Sequence, residues 1–167
     1  GKFSLKDFLK EYLPLKRGDI LTTEGKKVGE HDGAWFYTIG QRHLRIKNYE
    51  SGIKGRHKTP SHYVAGKDIK TDTLIVAEGK NHPALRKKEV LLTNTNFINP
   101  IILDSKFSIP VYTRVRYRQP LSQATLYKLP TTNYKLLFKK AQKAVAPGQS
   151  AVFYSTRGEL LGGGIIK

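Results

Sequence analysis

The stretch Arg114-Val115-Arg116-Tyr117-Arg118-Gln119-Pro120 sets three arginines at alternate positions. On a β-strand, residues two apart share a face. Arg114, Arg116 and Arg118 would then form one stripe with a spacing of ~6.6 Å, close to the reach between successive phosphates of an extended nucleic-acid strand. The guanidinium is a planar fork of donors that matches phosphate oxygens, and it stays charged at any physiological pH. Tyr117 and Gln119 would face the other side, where the tyrosine either stacks or joins a core. The same alternation also suits the solvated outer face of a barrel strand, so the pattern alone leaves both readings open.

Ala146-Pro147-Gly148-Gln149-Ser150 reads as a type II turn leading into a strand, with proline fixing φ at one central position and glycine supplying positive φ at the next. Gln149 would stand at the loop edge, where an amide can read a base or a sugar. From this pattern alone, the favoured reading is that the motif only shapes the turn. Gly29-Glu30-His31-Asp32-Gly33 brings acid, imidazole and acid together. Neighbours on a strand point to opposite faces, so the three cannot easily converge on one ion, and the segment is expected to be a polar turn between strands. The histidines lack the spacing of a helical zinc site. Gly162-Gly163-Gly164 lacks the Lys-Ser/Thr of a phosphate loop and is expected to be a bulge or a close backbone approach. No catalytic residue and no metal site is expected.

The composition narrows the chemistry further. The 167 residues carry a formal charge of +17 and a pI of about 10.1, and 38% of them are hydrophobic. So large a like-charged excess attracts polyanions, and this tips the arginine stripe towards RNA. The chain contains no cysteine. It therefore offers no disulfide framework, thiolate metal site or thiol nucleophile, and any sulfur chemistry would need a cysteine from elsewhere. No apolar run approaches the ~20 residues of a membrane helix, and no apolar h-region follows the first residues. No membrane partner and a soluble, cytoplasmic protein are expected.

The elements that must position these groups are short. A helix is expected over residues 4–13, with Ser4 as cap, Asp7 as the acidic half of a capping box and Phe3 and Phe8 at the staple positions. Pro14 stops it. Asp19–Thr23 and Lys27–Gly29 flank a Glu24-Gly25 turn as a hairpin. Strands are also expected over Trp35–Ile39, His62–Ile69 and Thr73–Ala77, with Gly40-Gln41-Arg42 opening a long basic loop over 43–61. Asn81-His82-Pro83 marks a boundary between a domain at 1–83 and one at 84–167. In the second, Glu89–Phe97, Val111–Gln119, Ala124–Leu129, Tyr134–Phe138, Ser150–Tyr154 and Glu159–Ile166 have the spacing of a small antiparallel barrel. The fold class expected is mainly β: a small β-rich domain with one N-terminal helix, then a barrel of the translation-factor type.

Taken in order, the motifs form a specific set. They are Phe8-Leu9-Lys10-Glu11-Tyr12-Leu13-Pro14, Gly18-Asp19-Ile20, Gly29-Glu30-His31-Asp32-Gly33, Tyr37-Thr38-Ile39-Gly40-Gln41-Arg42 and Val64-Ala65-Gly66-Lys67-Asp68. His82-Pro83, Arg116-Tyr117-Arg118-Gln119, Pro147-Gly148-Gln149-Ser150-Ala151-Val152-Phe153-Tyr154 and Leu161-Gly162-Gly163-Gly164-Ile165-Ile166 follow. Across essentially the whole chain this order resembles the tRNA-specific 2-thiouridylases. The resemblance implies an enzyme that adenylates C2 of the wobble uridine with ATP and then delivers sulfur from a cysteine persulfide, in the tRNAs for Lys, Glu and Gln. Older naming of the family is that of a methyltransferase. It further implies that ATP, with Mg, and both catalytic cysteines belong to an N-terminal domain, and that this chain corresponds to the central and C-terminal domains, with no cofactor and no catalysis of its own. The implied partners are the anticodon-bearing region of tRNA and a sulfur-donor protein. The family's pair of tRNA contacts falls on Arg116 and Tyr117, and a further one on Gln149.

One departure stands out. After Gly-Gln-Arg the family usually continues with a Lys-Gly-Leu-Gly-Ile type stretch, where this chain has His43-Leu44-Arg45-Ile46-Lys47. Two other readings share some of these features. A free-standing RNA-binding barrel has the charge and the strands but implies no catalytic partner. A self-contained RNA methyltransferase would need a cofactor fold, and no glycine fingerprint between strand and helix is present.

Overall fold

The computed structural model describes residues 5–42, 61–98, 107–131 and 133–167. The chain divides into two compact units, Gly1–Leu85 and Arg86–Lys167. It is mainly β throughout, with one short α-helix.

In the first unit, α1 spans Leu5–Tyr12. Phe8 and Tyr12 lie one turn apart with ring centroids 5.0 Å from each other, as side chains at i and i+4 should. The expected cap at Ser4 and the staple at Phe3 lie outside the described residues. A four-stranded sheet follows, built from β1 (Gly18–Thr22), β2 (Lys27–His31), β3 (His62–Asp68) and β4 (Thr73–Glu78) in the order β2-β1-β4-β3. β1 and β4 run parallel, and the two outer pairs are antiparallel. Ile20, Val64, Leu74 and Val76 are buried, while their strand neighbours Asp19, Leu21, Tyr63, Ala65 and Ile75 are partly or fully open to solvent. The Glu24-Gly25 hairpin turn forms as its residues require, with Gly25 at φ 84°.

Two expectations fail in this unit. Trp35–Ile39 is not a strand: Ala34–Phe36 is a turn of 3-10 helix. The cause is tertiary. Asp72, buried in the β3–β4 turn at φ 53°, accepts a hydrogen bond from the Ala34 amide at 2.7 Å. That bond reels the backbone in, and Phe36 N then closes onto the Gly33 carbonyl at 3.2 Å. Nor is Gly29–Gly33 simply a polar turn. Gly29 to His31 complete β2, and His31 is buried while Glu30 and Asp32 are exposed. The His31 Nδ1 accepts the Gly33 amide at 3.0 Å, so the imidazole serves the backbone. The 43–61 loop lies outside the described residues, apart from Ser61.

The second unit is a closed antiparallel barrel of six strands. They are β5 (Arg86–Phe97), β6 (Ser108–Arg114), β7 (Ser122–Lys128), β8 (Tyr134–Lys143), β9 (Ser150–Tyr154) and β10 (Leu160–Ile166), in the order β10-β5-β8-β7-β6-β9 with β9 returning to β10. Closure removes every free strand edge. Inward residues alternate along each strand and fill the interior with Leu92, Val111, Leu126, Leu136, Phe138 and Phe153, among others.

Gly162 and its neighbours are the close backbone approach expected. A Cβ on Gly162 would stand 2.1 Å from the Asn96 carbonyl oxygen, and its φ of 153° is in the region glycine tolerates. The β10–β5 and β10–β9 registers both slip around it. β8 is longer than its apolar part suggests. It runs on through Lys139 and Lys140 to Lys143, and its end pairs with the start of β5, Arg86 opposite Lys143 and Lys87 opposite Gln142, beyond a register slip between Lys87 and Glu89.

Candidate nucleic-acid interface

The expected arginine stripe is not a strand face. β6 ends at Arg114, and residues 115–118 form a turn closed by the Gln119 amide on the Arg116 carbonyl at 3.2 Å. Arg118 sits at φ 61°, which no strand accommodates. Val115 is fully buried and plugs the end of the core. With that anchor inside, the chain must turn over it, and Arg116, Tyr117 and Arg118 are thrown outwards together. The alternation that would set Tyr117 opposite Arg116 therefore does not apply. Tyr117 is 84% exposed, and the Arg118 guanidinium lies 5.3 Å from its ring centroid. Arg114 remains on the outward face of β6, half-buried, over the Tyr154 ring at 5.8 Å.

What holds this turn is a small amide network. Gln119 Nε2 donates to Gln142 Oε1 at 2.6 Å, and Ser122 Oγ donates to the same oxygen at 3.1 Å. Gln142 is itself buried near the end of β8 and donates to the Lys140 carbonyl at 2.6 Å. The β6–β7 connection is thereby tied to the end of β8.

Register brings Gln149 to the same place. Arg114 pairs with Val152, so β9 begins beside the turn that follows β6. The Ala146–Gln149 turn has the form its residues dictate: Gly148 is at φ 82°, and the Gln149 amide reaches the Ala146 carbonyl at 3.4 Å. Its backbone is spent on β10, since Gln149 O accepts from Ile166 N and Gly148 N donates to Ile166 O, both at 2.8 Å. The side chain is less open than a loop-edge position suggests. Gln149 is half-buried, with Oε1 enclosed and unpartnered. Arg114 Nε and Gln119 Oε1 share that condition at the same end of the barrel. Buried polar atoms are nearly always bonded, so this concentration is unusual.

One rim of the barrel therefore gathers the ends of β6, β8 and β10 and the starts of β5, β7 and β9. It carries Arg116, Tyr117, Arg118 and Gln149, with Arg114 just below, and also Arg86, Lys87, Lys140 and Lys143. The last four escaped a reading centred on one arginine motif. The signal for them was present in the sequence as clusters at residues 86–88 and 139–143, but only the barrel closure unites them. From Arg86 onward the acidic residues are Glu89, Asp104 and Glu159 alone. Glu89 lies 3.9 Å from Lys135 on the barrel wall. The first unit contrasts with this: Lys27 is clasped by Asp19 at 2.6 Å and Glu30 at 3.0 Å, bonds that hold its ammonium above the usual lysine range. Among the described residues no group of three or more His, Cys, Asp or Glu could hold a metal, and no helix is long and apolar enough to cross a membrane.

Comparison with known proteins accounts for both units. Residues 6–78 match the tRNA methyl transferase PRC-barrel domain, and residues 87–166 match the aminomethyltransferase beta-barrel domain. Over its full length the chain is 43% identical to the tRNA-specific 2-thiouridylase MnmA of Pseudomonas putida (strain GB-1) and to that of Pseudomonas fluorescens (strain Pf0-1). It is 41% identical to that of Pseudomonas paraeruginosa (strain DSM 24068 / PA7). The chain belongs to the tRNA-specific 2-thiouridylase family. It spans 42% of the length of each of these relatives. Within the family it represents the central and C-terminal domains, a PRC-barrel unit and a β-barrel unit.

Proposed function

We propose that this chain is the tRNA-holding part of a tRNA 2-thiouridylase, and that the rim at the start of β5 and the end of β6 is where it grips the RNA. The observation that carries the reading is the rim itself. Arg114, Arg116 and Arg118 stand beside Arg86, Lys87, Lys140 and Lys143, with an exposed tyrosine and an enclosed glutamine amide among them. Arginines supply phosphate contacts that fix register, Tyr117 supplies a stacking face, and Gln149 supplies an amide to a base edge or a ribose hydroxyl.

The chemistry belongs to the whole enzyme. In this reading it thiolates C2 of the wobble uridine in the tRNAs for Lys, Glu and Gln. ATP with Mg activates the oxygen and a sulfur-donor protein supplies persulfide sulfur, in the cytoplasm. This chain contributes no catalytic group, because it has no cysteine to carry sulfur. Its residues 1–83 form the central domain and 84–167 the tRNA-contacting barrel.

Titration of the chain with unmodified tRNA at several salt concentrations tests the proposal. Binding should fall steeply with salt, because each neutralised phosphate releases counterions. Arg116→Ala should weaken binding by roughly 1–3 kcal/mol and flatten the log–log salt slope by roughly 0.7–0.9. Wild-type affinity and slope in that variant would reduce the turn to a solvated barrel rim.

A further inference from the structure

The outer wall of the barrel carries a second feature that the rim does not use. Across β5, β8, β7 and β6 runs an open groove of about 480 Å³, whose lining includes Lys88, Tyr112, Gln123, Thr125, Leu137 and Lys139. None of its lining residues is acidic. Tyr112 is fixed within it: its hydroxyl accepts a hydrogen bond from Gln123 Nε2 at 3.1 Å, directly across the β6–β7 pair. Tyr112 also sits opposite Tyr154 across the β6–β9 pair. Arg114, two residues along β6 and so on the same outward face, packs over that second ring at 5.8 Å.

From these observations we infer that the groove is a binding site for single-stranded RNA, with Tyr112 as the plate on which a base stacks and Lys88 and Lys139 as its phosphate contacts. The arrangement has both ingredients such sites need, an aromatic platform and a cationic track. The occupant is single-stranded because a paired base keeps its faces inside the duplex stack, whereas a splayed base can lie on a ring. A protein partner fits less well. The apolar side chains of the lining, Pro110 and Leu137 on its open face, are set among amide, hydroxyl and ammonium groups, and protein interface cores are depleted in lysine. Arg114 stands between the groove and the rim turn, so a strand leaving the groove towards the end of β6 meets the rim arginines next. The groove residues are distinct from those proposed above to grip tRNA, and the two assignments stand or fall separately.

The full chain would be titrated with a single-stranded hexauridylate and with an RNA duplex of equal phosphate count, while amide and side-chain NMR signals are followed. Shifts at Gln123 Nε2, Thr125 and Lys139 on adding the single strand, larger than with the duplex, are expected. Tyr112→Ala should weaken hexauridylate binding about 5- to 150-fold, the range that loss of one stacked base gives. Tyr112→Phe keeps the ring and should bind within about twofold of wild type, which separates stacking from a folding defect. Lys139→Gln should flatten the salt slope by about 0.7, the single-strand value for one phosphate. Equal binding by Tyr112→Ala and wild type, or shifts confined to residues 114–118 and Gln149, would overturn the groove site and leave the rim intact. Arg116→Ala with unchanged tRNA binding, alongside a groove that still takes hexauridylate, would instead overturn the rim.

Discussion

Tyr117 shows how one residue's role depends on its neighbours. Its ring is 84% exposed and backed by the Arg118 guanidinium, an arrangement that offers one aromatic face and one charge to the same ligand. If the ring stacks, Tyr117→Phe should leave tRNA affinity within about twofold, and Tyr117→Ala should cost roughly 1–3 kcal/mol; equilibrium titration at fixed salt measures both. Gln149→Ala should weaken binding less than Arg116→Ala and leave the salt slope unchanged, since a neutral amide releases no counterion. Asp72 acts on the fold instead. Its carboxylate bonds the Ala34 amide from a 1% exposed position, and removing it strands a buried N–H. Asp72→Ala should destabilise the first unit by roughly 1–3 kcal/mol without changing the RNA contacts of the barrel. Thermal melting and a tRNA titration of the same variant check the two halves of that statement.

The turn after β6 and strand β10 illustrate how elements place side chains. The 115–118 turn exists because Val115 is committed to the core and the backbone must reverse over it. Gln142, buried at the end of β8, then fixes the returning segment through Gln119 and Ser122. In β10 the requirement is for space. Any side chain at Gly162 would meet the Asn96 carbonyl, and its φ disfavours other residues. Gly162→Ala should therefore lower barrel stability by roughly 1–3 kcal/mol, read as a fall in the melting temperature. A variant that melted with wild type would show that β5 and β10 can separate at no cost.

For the molecule as a whole, charge is distributed by unit. The barrel has few acids and gathers cations on one rim, whereas the first unit offsets some of its lysines with local carboxylates, as at Lys27. A surface of this kind attracts polyanions from a distance before any specific contact forms. Catalysis is a different matter. Incubated with ATP, a sulfur donor and unmodified tRNA, the chain alone should form no 2-thiouridine above background, because sulfur transfer through a persulfide needs a cysteine it does not have. Nucleoside analysis of the recovered tRNA gives the answer, and product above background would contradict the division of labour proposed here.

What the sequence determined by itself is the local physics. Strand spacing and turn residues marked the barrel, Pro147-Gly148 marked a turn within it, Glu24-Gly25 marked the hairpin turn of the first unit, and the triple glycine marked a close approach. Each of these depends on a few adjacent residues whose preferences are satisfied wherever the chain goes. The motif order was equally legible, since it needs no coordinates at all. Tertiary structure decided whatever depends on a distant partner. Trp35–Ile39 reads as a strand until Asp72 captures the Ala34 amide from 38 residues away. Arg114 to Arg118 read as a stripe until the barrel end claims Val115. The lysines at 86–88 and 139–143 belong to one rim and one groove only because β5 pairs with β8. Local preference is a fraction of a kcal/mol per residue, while one buried hydrogen bond or one buried valine outweighs it, so the contacts that close the fold have the last word on where the charged side chains point.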